Sequence, residues 1–131
     1  MTLIDSSVWI DFFTGRPSPQ ALYFRSELRN QPFLVGDLML AEVLQGFRHT
    51  REFEAARAAM QKFEVVRLGG RQTALQSAVH YRLLRSKGVT IRNTIDCLIA
   101  TYCIMRECAL LHSDRDYSHF EQLLGLKIIR V

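Results

Sequence analysis

Short apolar runs alternate with longer amphipathic segments along the chain, and this alternation predicts the secondary structure. Runs of about four or five mostly apolar residues, bounded by polar residues or glycine, are typical of buried strands. They predict strands over residues 2–5, 33–36, 64–68, 109–112 and 127–131. Apolar residues that recur every three or four positions predict amphipathic helices. The predicted helices cover residues 6–14, 18–30, 37–49, 51–63, 71–87, 94–107 and 117–124.

Capping and helix-breaking residues indicate where several of these helices begin and end. Ser18 followed by Pro19 is a typical helix start, because serine caps the first turn and proline fits the first helical position. We expect Asp37 and Thr50 to cap the next two helices. Gly88 is expected to end the long helix before it, since glycine readily adopts the left-handed conformation that follows a helix.

The order of these elements predicts the fold class. Strands that alternate with helices are typical of an α/β domain, here with a mostly parallel central sheet of about five strands flanked by helices. With 131 residues, the chain is expected to form one domain over residues 1–131. Its apolar runs are shorter than the roughly 18 residues of a membrane span, and Met1 is not followed by the basic start of a signal peptide. The sequence therefore predicts a cytoplasmic protein without a membrane partner.

Several carboxylates occur in unusually apolar surroundings. Asp5 ends the first predicted strand, and Glu42 and Asp96 are each the only charged residue within an apolar stretch of seven. Asp114 and Asp116 follow the fourth predicted strand. Because a buried carboxylate without a partner is costly, such groups are usually paired or bound to a metal. Several of them together favour a bound cation.

Topology predicts that these carboxylates meet. In open parallel sheets, ligands bind outside the carboxyl ends of the strands, where Asp5, Asp114 and Asp116 are expected. Glu42 and Asp96 join them there if the starts of their helices converge on the same edge. A set of carboxylates without a companion set of histidines or cysteines selects Mg²⁺ or Mn²⁺ over zinc. The chemistry that suits such a site best is hydrolysis of phosphodiesters.

Each of these acids also has a purely structural interpretation. Asp5 could cap the following helix, and Asp96 could favour the positive end of its helix dipole. Asp114 and Asp116 could be ordinary turn residues. The net charge of +4, carried largely by arginine, permits binding of nucleic acid but also fits a genomic preference for arginine codons.

Four motifs surround the carboxylates. They are Leu3-Ile4-Asp5-Ser6-Ser7, Leu40-Ala41-Glu42-Val43, Asn93-Thr94-Ile95-Asp96-Cys97-Leu98-Ile99-Ala100 and Ser113-Asp114-Arg115-Asp116-Tyr117. In this order and at these separations, they resemble the PIN-domain ribonucleases, and specifically the VapC toxins of bacterial toxin–antitoxin pairs. The resemblance implies a three-layer PIN-like domain and an endoribonuclease that depends on Mg²⁺ or Mn²⁺ and leaves 5′-phosphate and 3′-hydroxyl ends. It also implies a VapB-like antitoxin as partner, and a homodimer.

The resemblance also implies roles for individual residues. Asp5, Glu42, Asp96 and Asp114 correspond to the catalytic metal-binding acids, and Asp116 is expected to assist them directly or through water. Many members of the family have threonine two residues before the fourth acid and phenylalanine after the last one. This chain has His112 and Tyr117 there. His112 is expected to support the site from the end of its strand.

Two further residues are expected near the acids. Ser6 either donates a hydrogen bond to a metal-binding carboxylate or simply caps its helix. Arg92 lies four residues before Asp96, so it is expected either to hold a phosphate of the RNA or to pair with one of the acids.

Two other classes of function also fit strand-end acids. A phospho-acceptor signalling domain binds Mg²⁺ in this way, but it is expected to carry a late strand-end lysine and an acceptor aspartate after the central strand. Neither is evident here. An RNA-binding PIN-like module without catalysis is the other alternative, and the presence of acids at all four positions argues against it.

Overall fold

A five-stranded, fully parallel sheet forms the centre of the molecule. The computed structural model describes residues 1–131. The strands are β1 (Thr2–Ile4), β2 (Phe33–Gly36), β3 (Glu64–Val66), β4 (Ala109–Leu111) and β5 (Lys127–Ile128). Their order across the sheet is β3-β2-β1-β4-β5. The predicted sheet is thus confirmed, with every strand pair parallel.

Seven helices connect and cover the strands. They are α1 (Ser6–Thr14), α2 (Pro19–Glu27), α3 (Asp37–Gln45), α4 (Thr50–Met60), α5 (Arg71–Ser86), α6 (Thr94–Arg106) and α7 (Ser118–Leu124), with a short 3₁₀ turn (Arg115–Tyr117) before α7. Two predicted helix ends are confirmed in detail. The Ser18 side chain accepts a hydrogen bond from the backbone N–H of Ala21, and Gly88 adopts a φ of +84° just beyond α5. None of the helices is long and apolar enough to span a membrane.

The core is divided between the two faces of the sheet. Successive residues of a strand point to opposite faces, so Leu3 belongs to one buried cluster and Ile4 to the other. The Leu3 cluster is covered by α5, α6 and α7, which contribute Leu84, Ile99 and Phe120. The Ile4 cluster is covered by α1, α2 and α4, which contribute Trp9, Phe24 and Met60. Helices therefore lie on both sides of the sheet, and the predicted three-layer α/β fold is confirmed.

The first strand occupies the middle of the sheet and determines which loops are neighbours. Thr2 pairs with Phe33 of β2 on one side and Ala109 of β4 on the other, and Ile4 pairs with Leu111. The carboxyl ends of β1 and β4 therefore lie side by side. The chain segments that follow Ile4 and Leu111 are the ones that carry Asp5 and Asp114.

The beginning of α3 differs from the prediction. Asp37 was expected to cap the helix, but Gly36 is the N-cap residue and Asp37 is the first residue of the helix. Oδ1 of Asp37 accepts hydrogen bonds from the backbone N–H groups of Leu38, at 2.8 Å, and Leu68, at 3.0 Å. Glycine is required at position 36 because a Cβ there would overlap the side chain of Leu68. The carboxylate thus ties the segment after β3 to α3 instead of closing its own first turn.

Candidate metal centre

Two strand ends and the start of one helix bring four of the five predicted acids to the same edge of the sheet. Asp5 directly follows β1 and is the N-cap residue of α1, and Asp114 lies just beyond β4 as the N-cap of the 3₁₀ turn. Asp96 lies in the first turn of α6, which Asn93 caps by accepting a hydrogen bond from the Ile95 N–H. The start of α6 therefore lies beside the carboxyl ends of β1 and β4.

A cluster of three carboxylates forms the most compact part of this site. Asp96, Asp114 and Asp116 each offer a carboxylate oxygen, and these oxygens all lie within 4.8 Å of one another. Asp96 is partly buried, and Asp116 is exposed. A cation entering from solvent can therefore reach all three side chains.

Asp5 lies behind this cluster and is held by hydrogen bonds on both of its carboxylate oxygens. The residue is only 6% exposed. Its Oδ1 accepts a hydrogen bond of 3.0 Å from the Tyr117 hydroxyl, which also lies 3.3 Å from Oδ1 of Asp96. Its Oδ2 accepts hydrogen bonds from the hydroxyl of Ser7, at 2.6 Å, and from the Ser7 backbone N–H, at 3.3 Å. Asp5 is thus both the helix cap and a neighbour of Asp96.

Hydrogen bonds within the loop after β4 position its acids. Oδ1 of Asp114 accepts a 3.0 Å hydrogen bond from the backbone N–H of Asp116. The backbone N–H of Asp114 donates in turn to Nδ1 of His112, also at 3.0 Å. Burial lowers the pKa of His112, which keeps the imidazole neutral, and the accepting Nδ1 places the ring proton on Nε2. The ring packs beside Tyr117, with centroids 4.8 Å apart.

Burial and the neighbouring acids together perturb the pKa of Asp96. Burial, followed by the charges of Asp5, Asp114 and Asp116, raises the pKa of Asp96 to about 6, although the hydrogen bond from Tyr117 acts in the opposite direction. No lysine, arginine or histidine neutralises the cluster, because the ion pairs of the chain are Arg57–Glu54 and Arg130–Glu121. The site therefore holds excess negative charge that no side chain compensates.

This donor set fits a hard divalent cation. Its ligands are carboxylate oxygens without thiolate or a set of imidazoles, which suits Mg²⁺ or Mn²⁺. Asp96, Asp114 and Asp116 are near enough to share one ion, and Asp5 adjoins them through Tyr117. Such an ion would supply Lewis-acid chemistry at these carboxylates.

Glu42 lies apart from the three clustered aspartates. It is half-buried on α3 and lines a groove between α1, α3 and α4, together with Phe13, Phe47 and Arg48. Its carboxylate forms no hydrogen bond or ion pair with another protein group. The structure does not bring it within the 4.8 Å of the clustered carboxylates.

Ser6 and Arg92 form no hydrogen bond or ion pair with the acids. The Ser6 hydroxyl is buried and has no hydrogen-bond partner, and the hydroxyl that reaches a carboxylate belongs to Ser7. The reason is that Asp5 itself caps α1, which turns its carboxylate toward the Ser7 N–H and side chain. Arg92 is exposed in the turn before α6 and forms no ion pair, so the acids do not hold its guanidinium.

Two hydrogen-bond donors to Asp5, the hydroxyls of Ser7 and Tyr117, were not among the predicted site residues. The sequence indicates them only weakly. Ser7 stands two residues after Asp5, which is the spacing at which a capping aspartate meets a backbone N–H and a nearby hydroxyl. Tyr117 stands where the resembling family commonly has phenylalanine, so its hydroxyl is an addition to an otherwise apolar position. The sequence does not indicate which groups that hydroxyl contacts.

Comparisons with known proteins identify the family of the chain. A family model described as the PIN domain matches residues 2–123. Among curated proteins, the ribonuclease VapC11 of Mycobacterium tuberculosis is 24% identical over 129 residues, which cover 97% of this chain and 96% of the relative.

Solved structures share the fold over nearly the whole chain. VapBC2 from Rickettsia felis, bound to a DNA fragment from its promoter, matches with a TM-score of 0.74 and 16% identity, covering 98% of this chain and 96% of that one. VapC20 of Mycobacterium tuberculosis, described as a toxin that cleaves the sarcin-ricin loop, matches with a TM-score of 0.72 and 14% identity, covering 100% of both chains.

Proposed function

This chain belongs to the PIN-domain family, and on that premise we propose that it is a metal-dependent endoribonuclease that acts as the toxin of a toxin–antitoxin pair. The observation that carries the proposal is the convergence of Asp96, Asp114 and Asp116 beside Asp5, with no cationic side chain to neutralise them. Mg²⁺ is the proposed ion, and Mn²⁺ has the same ligand preference.

The proposed metal ligands are the acids around this cluster. Asp5, Asp96 and Asp114 would hold the ion, and Asp116 would bind it directly or through water. We include Glu42 in the catalytic set because no hydrogen bond or ion pair holds its carboxylate elsewhere. It lies on α3, which packs against the helix that Asp5 caps.

The proposed substrate is an RNA strand. Water adds to a backbone phosphorus while the bond to the 3′ oxygen breaks, and the leaving oxygen takes up a proton. The products carry a 5′-phosphate and a 3′-hydroxyl. The exposed and unpaired Arg92 would hold a phosphate of the strand, and the chain's net charge of +4 favours a polyanionic ligand. We further propose that residues 1–131 act as a single nuclease domain in the cytoplasm.

Two surfaces are available for the proposed protein partners. The groove between α1, α3 and α4 combines the apolar side chains of Phe13 and Phe47 with the charged side chains of Glu42 and Arg48. We assign it to a VapB-like antitoxin, which would also block access to Glu42.

The homodimer would use α5, whose Leu75, Val79 and Leu83 are 62%, 54% and 41% exposed and form one stripe four residues apart.

The substitution Asp96→Asn tests the metal-dependent nuclease. It keeps the shape of the side chain and removes a charge that the folded protein must desolvate, so the domain should remain folded while cleavage of RNA falls to background. Treatment of the wild-type protein with EDTA should have the same effect, and added Mg²⁺ or Mn²⁺ should restore cleavage. Product ends are identified by sequencing the cleaved RNA.

The matched control is Glu54→Gln, which also converts a carboxylate to an amide. Glu54 is exposed on α4 and pairs only with Arg57, so this variant should cleave RNA as the wild type does. Full cleavage by Asp96→Asn, or by wild-type protein in EDTA, would show that the proposed chemistry is wrong.

A further inference from the structure

The phenol of Tyr117 is completely buried, and its hydroxyl lies between two carboxylates from distant parts of the chain. The oxygen is 3.0 Å from Oδ1 of Asp5 and 3.3 Å from Oδ1 of Asp96. A phenol carries a single proton to donate. The two carboxylates therefore share one donor, with the shorter hydrogen bond to Asp5.

Packing of the ring fixes the position of this hydroxyl. Tyr117 belongs to the buried cluster that includes Leu110 and Phe120, and its ring packs against that of His112. A buried aromatic ring in such surroundings has little rotational freedom. Phenylalanine would fill the same space and leave both carboxylates without the shared donor.

The Tyr117 hydroxyl also uses only one of the hydrogen-bond acceptor sites of each carboxylate. A carboxylate oxygen has two acceptor sites, so a hydrogen bond to Oδ1 leaves a second site on that oxygen. Oδ2 of Asp96 accepts no hydrogen bond from a protein group, and it stays available to an ion. A donor and a cation can therefore bind the same pair of side chains together.

We infer that Tyr117 is a positioning residue, whose hydroxyl holds the Asp5 and Asp96 carboxylates in the orientation in which they bind the divalent cation together. This inference rests on the proposed function, since it concerns the same metal site. Two ionised carboxylates repel and turn apart unless something draws them together. The shared donor does so before the ion arrives, and it stays in place once the ion is bound.

The substitution Tyr117→Phe isolates the hydroxyl, because the ring and its packing are kept. Hydrogen bonds to metal-binding side chains typically change metal affinity by about 10- to 100-fold. Titration calorimetry with Mn²⁺ alone, without RNA, should therefore show Mn²⁺ affinity reduced about tenfold or more. The rise in melting temperature on adding Mn²⁺ should be smaller by the corresponding amount, and this second measurement holds even if the variant is less stable.

Tyr102→Phe is the matched control. Tyr102 lies on α6, as Asp96 does, and is only 9% exposed, but its hydroxyl forms no hydrogen bond with another protein group. This variant should bind Mn²⁺ as the wild type does.

The possible outcomes separate this inference from the proposed function. If the wild type binds Mn²⁺ and Tyr117→Phe binds it equally well, the hydroxyl does not position the acids. Tighter binding by Tyr117→Phe would show that the hydroxyl occupies the place of the ion, which also overturns the inference. Absence of Mn²⁺ binding by the wild type would instead refute the metal-dependent function itself.

Discussion

Among single residues, Asp96 is the one whose protonation makes the stability of the protein and its affinity for metal depend on pH. Its pKa of about 6 lies above the ordinary value of 3.8, chiefly because of burial and then because of the three neighbouring aspartates. Between about pH 6 and pH 4, the folded metal-free protein therefore holds a proton that the unfolded chain has released. The stability of the protein rises as pH falls from about 6 to about 4, and this contribution is lost above about pH 6, where Asp96 is ionised in both states.

Metal binding should show the opposite trend. The ion requires Asp96 to be ionised, so proton and cation compete for the same carboxylate. For a single group with a pKa of about 6, Mn²⁺ affinity should fall at least about tenfold between pH 7 and pH 5. Calorimetric titrations at these two values measure this. Equal affinity at both would mean that Asp96 is not a ligand.

At the scale of single residues, the sequence indicates which acids are unusual, but it does not indicate the Ser7 and Tyr117 hydroxyls that donate hydrogen bonds to them. Apolar surroundings indicate that Asp5 and Asp96 are unusual, because burial of a lone charge is costly wherever it occurs. Whether Ser6 or Ser7 meets Asp5 depends on the side-chain direction at a helix cap. The Tyr117 hydroxyl depends on packing across the core, which no local pattern encodes.

Among the elements, α3 depends on a contact from outside the helix. The Asp37 carboxylate accepts a hydrogen bond from the N–H of the fully buried Leu68, beyond β3. This bond fixes the segment between β3 and α5 against the start of α3. It therefore joins the edge of the sheet to the helix that carries Glu42.

Asp37→Ala should destabilise the fold by about 1–3 kcal/mol, because it leaves a buried backbone N–H without an acceptor. Asp37→Asn retains an oxygen at Oδ1 and should recover most of that stability. Urea denaturation followed by circular dichroism measures both variants. A loss of equal size in the two would show that the charge of Asp37, and not its acceptor oxygen, stabilises α3.

The pattern of apolar residues predicted every strand and helix but not all of their ends. α3 ends at Gln45, whereas the prediction extended it to residue 49. Gly46 is the C-cap residue, and beyond it the ring of Phe47 packs against that of Phe13, with centroids 5.8 Å apart. Such a contact between elements is not contained in the local pattern of apolar residues.

For the whole molecule, the proposed function predicts toxicity that a partner relieves. Cells that express the wild-type chain alone should stop growing, and cells that express Asp96→Asn to the same level should grow normally. Co-expression with a cognate antitoxin should restore growth to the wild-type strain. Normal growth with abundant, folded wild-type protein would contradict the toxin assignment.

That Asp5 and Asp114 lie at one edge of the sheet could be predicted, because the carboxyl ends of parallel strands share an edge. The strand order could not be predicted. β1 lies between β2 and β4, and this placement makes Asp5 and Asp114 neighbours. Glu42 lies on the helix that follows β2, which pairs with the opposite edge of β1 from β4.

The hydrogen bond between Asp5 and Tyr117 joins residues 112 positions apart, and this separation has a consequence during translation. A ribosome that adds roughly 5–20 residues per second needs roughly 6–22 seconds to travel from one residue to the other. Until then β1 has no β4 beside it, and the nascent chain lacks Asp114 and Asp116 of the five site acids. With the proposed site, such a chain is not expected to cut RNA while most of it is still being synthesised. Premature termination before residue 109 would therefore yield a fragment without β4, Asp114 and Asp116, and such a fragment is not expected to be toxic.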